Sequence, residues 1–125
     1  MAKHLKILGL GVGEQLSNED LLTHMVDAII VAVGMRPLGE PLVANVPLAI
    51  EKLGQEPFED EGGISVIRML STSHIALHTW PLRNEFHLDI YSCRDFQIFK
   101  AIAILDKFLT VTKMKMTDVT DACEW

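Results

Sequence analysis

The chain has 125 residues, the size of one domain, of which 49% are hydrophobic and 22% charged, a balance that excludes wholesale disorder. Its 11 basic and 17 acidic residues give a formal charge of −6 with no Lys/Arg cluster, so it has no electrostatic footprint for nucleic acid or anionic lipid and better suits a cationic ligand. The longest apolar run, Ala28–Val33, is far shorter than the roughly 20 residues of a membrane span. Met1-Ala2-Lys3-His4 lacks the apolar stretch of a signal peptide, and Cys93 and Cys123 build no disulfide framework, so the expected setting is a reducing cytoplasm with a partner subunit.

Lys3–Leu10 reads as a strand, ended by the glycine-spaced turn Gly9-Leu10-Gly11-Val12-Gly13. Ser17-Asn18-Glu19-Asp20 offers an N-cap serine with an acid three residues on. In the helix that follows, Leu22, Met25, Val26, Ile29, Ile30 and Val33 form one buried face, and Gly34 ends it. Pro37–Pro47 is punctuated by prolines and glycine and holds a short strand near Pro41–Asn45. Glu51–Gly63, acidic and turn-rich with Glu56, Glu59, Asp60 and Glu61 close together, reads as a solvated loop.

Ile64–Leu70, His74–Trp80 and Glu85–Ser92 are strands rich in β-branched and aromatic residues, and Pro81-Leu82-Arg83-Asn84 is a hairpin turn between the last two. A second amphipathic helix runs from about Asp95 to Leu109, with Phe99, Ile102, Leu105 and Leu109 on one side. Val111–Met116 makes a last strand. The order β-α-β-β-β-β-α-β has too few helices for a parallel sheet. It predicts an α+β two-layer sandwich, a single domain over 1–125 whose antiparallel sheet carries both helices on one face.

Three constellations carry possible chemistry. The glycine turn follows a strand and precedes a helix, yet the dinucleotide pattern needs glycine where Glu14 stands, and a carboxylate there repels a pyrophosphate; a plain turn is the better account. His74, His78, His87 and Cys93 could suggest zinc. On an extended strand, however, His74 and His78 lie some 13 Å apart, at about 3.3 Å per residue. Histidines on different strands could still converge, but structural histidines are the commoner account and no metal is expected. Ser65, Ser71, Thr72 and Ser73 fall within nine residues, followed by His78 and Cys93. A hydroxyl, a nearby base and a thiol are the ingredients of nucleophilic and acid–base chemistry, although such a set also arises by chance.

The stretch Ser71-Thr72-Ser73-His74-Ile75-Ala76-Leu77-His78-Thr79-Trp80-Pro81, followed by Asp89-Ile90-Tyr91-Ser92-Cys93, resembles the S-adenosylmethionine decarboxylase family in its short prokaryotic form. That family has a serine-histidine pair, three residues, His-Thr-Trp-Pro, and a cysteine 15 positions after the second histidine, as Cys93 is after His78; it also has a serine eight positions before the cleavage serine, as Ser65 is before Ser73. The resemblance is strong over Gly63–Asp95.

It implies a proenzyme that cuts itself between Thr72 and Ser73 into a β chain, 1–72, and an α chain, 73–125. Ser73 Oγ attacks the Thr72 carbonyl, with Ser65 and His78 as the matching processing residues. Elimination and hydrolysis then leave a pyruvoyl group derived from Ser73. That group forms a Schiff base with the substrate amine and acts as an electron sink, while Cys93 matches the general acid. Family members are dimers of four layers, so the resemblance implies a homodimer and polyamine (spermidine) synthesis.

Two positions depart from the family. Thr72 replaces the usual glutamate before the cleavage serine, and Leu82 replaces the acidic residue that contacts the ribose hydroxyls, with Glu85 as the nearest substitute. Loss of the ribose contact keeps two alternatives open: arginine or ornithine decarboxylation on the same scaffold, and a non-processing homologue with a binding or regulatory role. Ser73 and His78, five apart, fall on opposite faces of a regular strand unless a bulge intervenes or the serine precedes the strand.

Overall fold

The computed structural model describes residues 2–53 and 56–120. Six strands form one antiparallel sheet: β1 (Lys3–Leu10), β2 (Leu42–Leu53), β3 (Glu56–Leu70), β4 (Ser73–Trp80), β5 (Glu85–Ser92) and β6 (Lys113–Asp118), in the order β2-β3-β4-β5-β1-β6. A helical turn, α1 (Gly13–Leu16), precedes the two helices α2 (Glu19–Ala32) and α3 (Ile98–Phe108), which pack side by side. This is the expected α+β sandwich with one short helical turn added. Among the described residues no helix is long and apolar enough to cross a membrane.

Strand alternation builds the core. Leu5 and Ile7, Ile64 and Val66, Ile75 and Leu77, and Leu88 and Ile90 point to one face of the sheet and are buried under Leu22, Met25, Ile29 and Leu105 of the helices. Each such side chain contributes about 1.5–3 kcal/mol by leaving water. The opposite face carries His4, Lys6, His74, His78, Trp80, His87, Asp89 and Tyr91, all at intermediate or exposed positions. No described helix lies over it.

Local chemistry moves several boundaries. The cap of α2 is Asn18, whose side chain accepts from the Leu21 N–H at 3.1 Å; the expected cap, Ser17, instead donates to the Gly13 carbonyl at 2.9 Å. Gly34, at φ 75°, ends the helix as expected. The second helix starts at Ile98 rather than Asp95, whose carboxylate is held by Lys3 Nζ at 2.7 Å, and Phe99 faces solvent while Ala101 and Leu105 face the core. The last strand runs two residues later than expected, set by its pairing of Lys113 with Leu10.

The expected acidic loop at Glu51–Gly63 is strand: β2 and β3 pair from Leu42↔Ile67 to Leu53↔Glu56, a hairpin that ladder hydrogen bonds can hold whatever the side-chain charge. Positions 54–55 of that stretch, and residues 121–125, lie outside the described residues.

The turn at Pro81–Asn84 forms as a 3-10 turn closed by Asn84 in the left-handed region, φ 54°. It also answers the glycine motif. The Gly11 N–H donates to the Asn84 carbonyl at 2.7 Å and the Gly13 N–H to Asn84 Oδ1 at 2.9 Å, so the amides that would cradle a phosphate are already bonded within the fold.

Candidate active site

The short turn from β3 to β4 consists of Ser71 and Thr72, with Leu70 paired to Ser73 across it. Thr72 sits at φ 51°, a left-handed conformation that a β-branched residue adopts only under strain. Its hydroxyl donates to the Ser71 carbonyl at 2.8 Å. The segment after α2 clamps this turn. The Ser71 N–H donates to the Arg36 carbonyl and the Leu38 N–H to the Met69 carbonyl, each at 2.9 Å, with Pro37 bridged to Leu70.

Ser73 opens β4, and its Oγ accepts from the Cys93 N–H at 2.9 Å. Cys93 is exposed just beyond β5, its Sγ 3.7 Å from the Ser71 carbonyl oxygen. The Thr72 and Ser73 hydroxyls, and more weakly the Arg94 guanidinium, hold its thiol below the ordinary thiol value. Ser71, Ser73 and Cys93 line a cavity of about 510 Å³ between the end of α2 and the strand ends, together with Gly34, Arg36 and Arg94.

The second pair lies elsewhere. Ser65 and His78 are cross-strand partners, with Ser65 Oγ 2.7 Å from His78 Nδ1, on the face of the sheet that the described helices leave open. Strand β4 runs from Ser73 without a bulge, so Ser73 shares the helix-side face with Ile75 and Leu77 while His78 shares the other with His74 and Trp80. Within one chain the fold therefore joins Ser73 to Thr72 and Cys93, and Ser65 to His78, but does not join the two groups.

Three other histidines on the strands, His4, His74 and His87, have carboxylate partners. Asp89 lies between His4 Nε2 at 2.7 Å and His74 Nε2 at 3.3 Å, and His87 Nε2 is 3.3 Å from Glu85. Among the described residues no three His, Cys, Asp or Glu side chains gather as metal ligands. Leu82 is 69% exposed, and Glu85, the nearest acid to it in sequence, is engaged by Arg83 as well as His87.

Two features escaped the sequence reading. Arg36 reaches the cavity through a loop far from Ser73 in the chain, and no local pattern signals it. Thr79 is buried and structural: its hydroxyl accepts the Ile64 N–H at 3.0 Å and donates to the Leu16 carbonyl at 2.8 Å, tying β3, β4 and α1 together. Gly63 serves the same junction, because a Cβ there would lie 1.9 Å from the Thr79 carbonyl oxygen.

Known proteins bear on this arrangement at three levels. The fold superposes on the crystal structure of the adenosylmethionine decarboxylase from Aquifex aeolicus with a TM-score of 0.71, at 15% identity, covering 94% of this chain and 88% of that one. The arginine decarboxylase proenzyme of Caldivirga maquilingensis is 45% identical over 51 residues, and the S-adenosylmethionine decarboxylase proenzyme of Pyrobaculum neutrophilum 40% identical over 53. These alignments span only 38% and 41% of the relatives' own lengths. The family model for S-adenosylmethionine decarboxylase matches residues 4–121, strands and helices included. With nearly the whole sandwich and the Ser73 turn inside that match, the chain belongs to the S-adenosylmethionine decarboxylase family.

Proposed function

We propose that the chain is a proenzyme that cuts itself between Thr72 and Ser73 and then decarboxylates S-adenosylmethionine, in the cytoplasm, as a step of polyamine synthesis. One observation carries the reading: the peptide bond ahead of Ser73 leaves a threonine held at φ 51°, while the Cys93 N–H fixes the Ser73 hydroxyl.

Self-cleavage needs a hydroxyl nucleophile, an acceptor for its proton and a carbonyl made easier to attack. Ser73 Oγ adds to the Thr72 carbonyl carbon, and the C–N bond breaks to give an ester and a free amine. Loss of the Ser73 α-proton then breaks the Cβ–Oγ bond, releasing Thr72 as a carboxylate. Water replaces the nitrogen, ammonia leaves, and a ketone remains at position 73. The geometry around Ser73 fits a precursor of this kind: a half-buried serine at the wall of a cavity, beside a strained residue and a thiol.

Once formed, the pyruvoyl group supplies an electrophilic carbonyl and an electron sink for the carbanion that loss of carbon dioxide creates. The chain's own residues do the rest. Cys93 holds a proton at Sγ beside that position and returns it to the former α-carbon. Ser65 sets the His78 imidazole through its 2.7 Å hydrogen bond. Because β4 keeps His78 and Ser73 of one chain on opposite faces, we assign the Ser65–His78 pair serving each Ser73 to the second copy of a homodimer.

Release of carbon dioxide from carboxyl-labelled S-adenosylmethionine, with arginine and ornithine run in parallel, tests the substrate. Release from S-adenosylmethionine in preference to the other two is the expected result. Arginine decarboxylation is the second reading, favoured by the exposed Leu82 at the position of the ribose contact. The Caldivirga relative's name points the same way. Release from arginine alone would establish it in place of the first.

A further inference from the structure

The open face of the sheet holds a cation receptor that is already filled. Trp80 and Glu85 are cross-strand partners at the ends of β4 and β5. The Arg83 guanidinium lies over the Trp80 ring, 5.2 Å from its centroid, with Nε 3.1 Å from Glu61 and Nη2 3.4 Å from Glu85. The His87 ring meets the same indole at 4.6 Å. An aromatic face with two carboxylates at its rim is the arrangement that recognises a guanidinium or alkylammonium group. Here the ligand is a side chain of the protein, and because Arg83 is 48% exposed the position opens directly to solvent.

The receptor adjoins the candidate chemistry. Trp80 stands two residues from His78 on the same strand face, their rings 6.4 Å apart. In the functional reading above, on which this inference rests, His78 is set against the reacting serine, so a substrate held there extends its distal end toward Trp80. For S-adenosylmethionine that distal end is the uncharged adenosyl group. For arginine or ornithine it is a cation, which would meet a fixed guanidinium and find both carboxylates engaged.

We propose that Arg83 is a specificity-determining residue: by occupying the Trp80–Glu61–Glu85 receptor it excludes substrates whose distal end is a guanidinium or an ammonium. Discrimination of this kind comes from like-charge repulsion rather than from new contacts to the favoured substrate.

Two measurements test it. Agmatine, a guanidinium on a butylamine stem, is titrated calorimetrically into the wild type, Arg83→Ala and the double variant Arg83→Ala with Glu85→Gln. Binding by the single variant alone is the expected result. Equal binding by wild type and Arg83→Ala, or no binding by Arg83→Ala, overturns the proposal, as does full binding by the double variant. In parallel, the ratio of carbon dioxide released from arginine to that from S-adenosylmethionine rises roughly tenfold in Arg83→Gln, in line with removal of a partly screened like charge. An unchanged ratio in an active Arg83→Gln enzyme also overturns it. If neither protein releases carbon dioxide from any substrate, the functional reading fails, and the agmatine titration still decides whether Arg83 fills a cation site.

Discussion

Ser73 and His78 leave the same strand on opposite sides, Ser73 toward the cavity at the end of α2 and His78 toward the open sheet face, where Ser65 Oγ holds its Nδ1 at 2.7 Å. A proton carrier and its nucleophile cannot cooperate across a sheet. If both take part in one cleavage, two chains share the work. Co-expression of Ser73→Ala with His78→Ala chains therefore restores cleavage of part of the His78→Ala chain, although each variant alone stays whole. Failure of every mixture to cleave would place both residues of a working site in one chain.

Thr72 predicts an opposition between stability and processing. A β-branched residue at φ 51° costs of order 1–3 kcal/mol, and glycine removes most of that cost. In the uncut His78→Ala background, Thr72→Gly raises the urea midpoint by an amount equivalent to about 1 kcal/mol. In the otherwise native chain, it slows cleavage, because strain relieved in the uncut turn no longer lowers the barrier. Faster cleavage by Thr72→Gly would show that the left-handed backbone hinders processing.

On the processing proposed above, Cys93 changes character when the chain is cut. Its thiol is lowered from the ordinary value of 9.0 chiefly by the Thr72 hydroxyl and next by the Ser73 hydroxyl. Processing replaces the second with a ketone and puts a new carboxylate on the first. The sign follows: uncut protein retains thiolate to lower pH than an ordinary thiol does, and cutting moves the group back up, toward the protonated form that a general acid needs. In a Cys123→Ser background, iodoacetamide modifies uncut His78→Ala protein faster at pH 7 than it modifies mature enzyme, and Thr72→Val slows the uncut reaction. Equal rates before and after cleavage would contradict this.

Thr79 carries the fold rather than the chemistry. Thr79→Val keeps the shape but leaves the buried Ile64 N–H and Leu16 carbonyl without their shared partner, at a cost of about 1–3 kcal/mol in urea unfolding. An unchanged midpoint would show that the junction re-forms its bonds elsewhere.

The periodic elements were legible in the sequence because burial imposes the period: Leu22, Met25, Val26 and Ile29 along α2, and Ile75 and Leu77 along β4, are buried as the pattern requires. Boundaries set by single hydrogen bonds were less so. Ser17 and Asn18 are both good caps, and the helical turn α1 just before them takes the serine hydroxyl back to the Gly13 carbonyl four residues earlier. The β2–β3 hairpin was hidden because its ladder is made by backbone groups, while its acidic composition reads as a solvated loop. The motif at Ser73, His78 and Cys93 was legible, and strand parity already put Ser73 and His78 on opposite faces. The engagement of Glu85 by Arg83 and His87 was not, since it depends on where a turn places a long side chain.

On the proposed reading, the bond between Thr72 and Ser73 breaks by itself. The most direct test is the intact mass of freshly purified protein under denaturing conditions. Two chains are expected, 1–72 ending in a free carboxylate and 73–125 beginning with a pyruvoyl group in place of serine. A single uncut species that stays whole on prolonged incubation would contradict it and leave the chain as a non-processing member of its family.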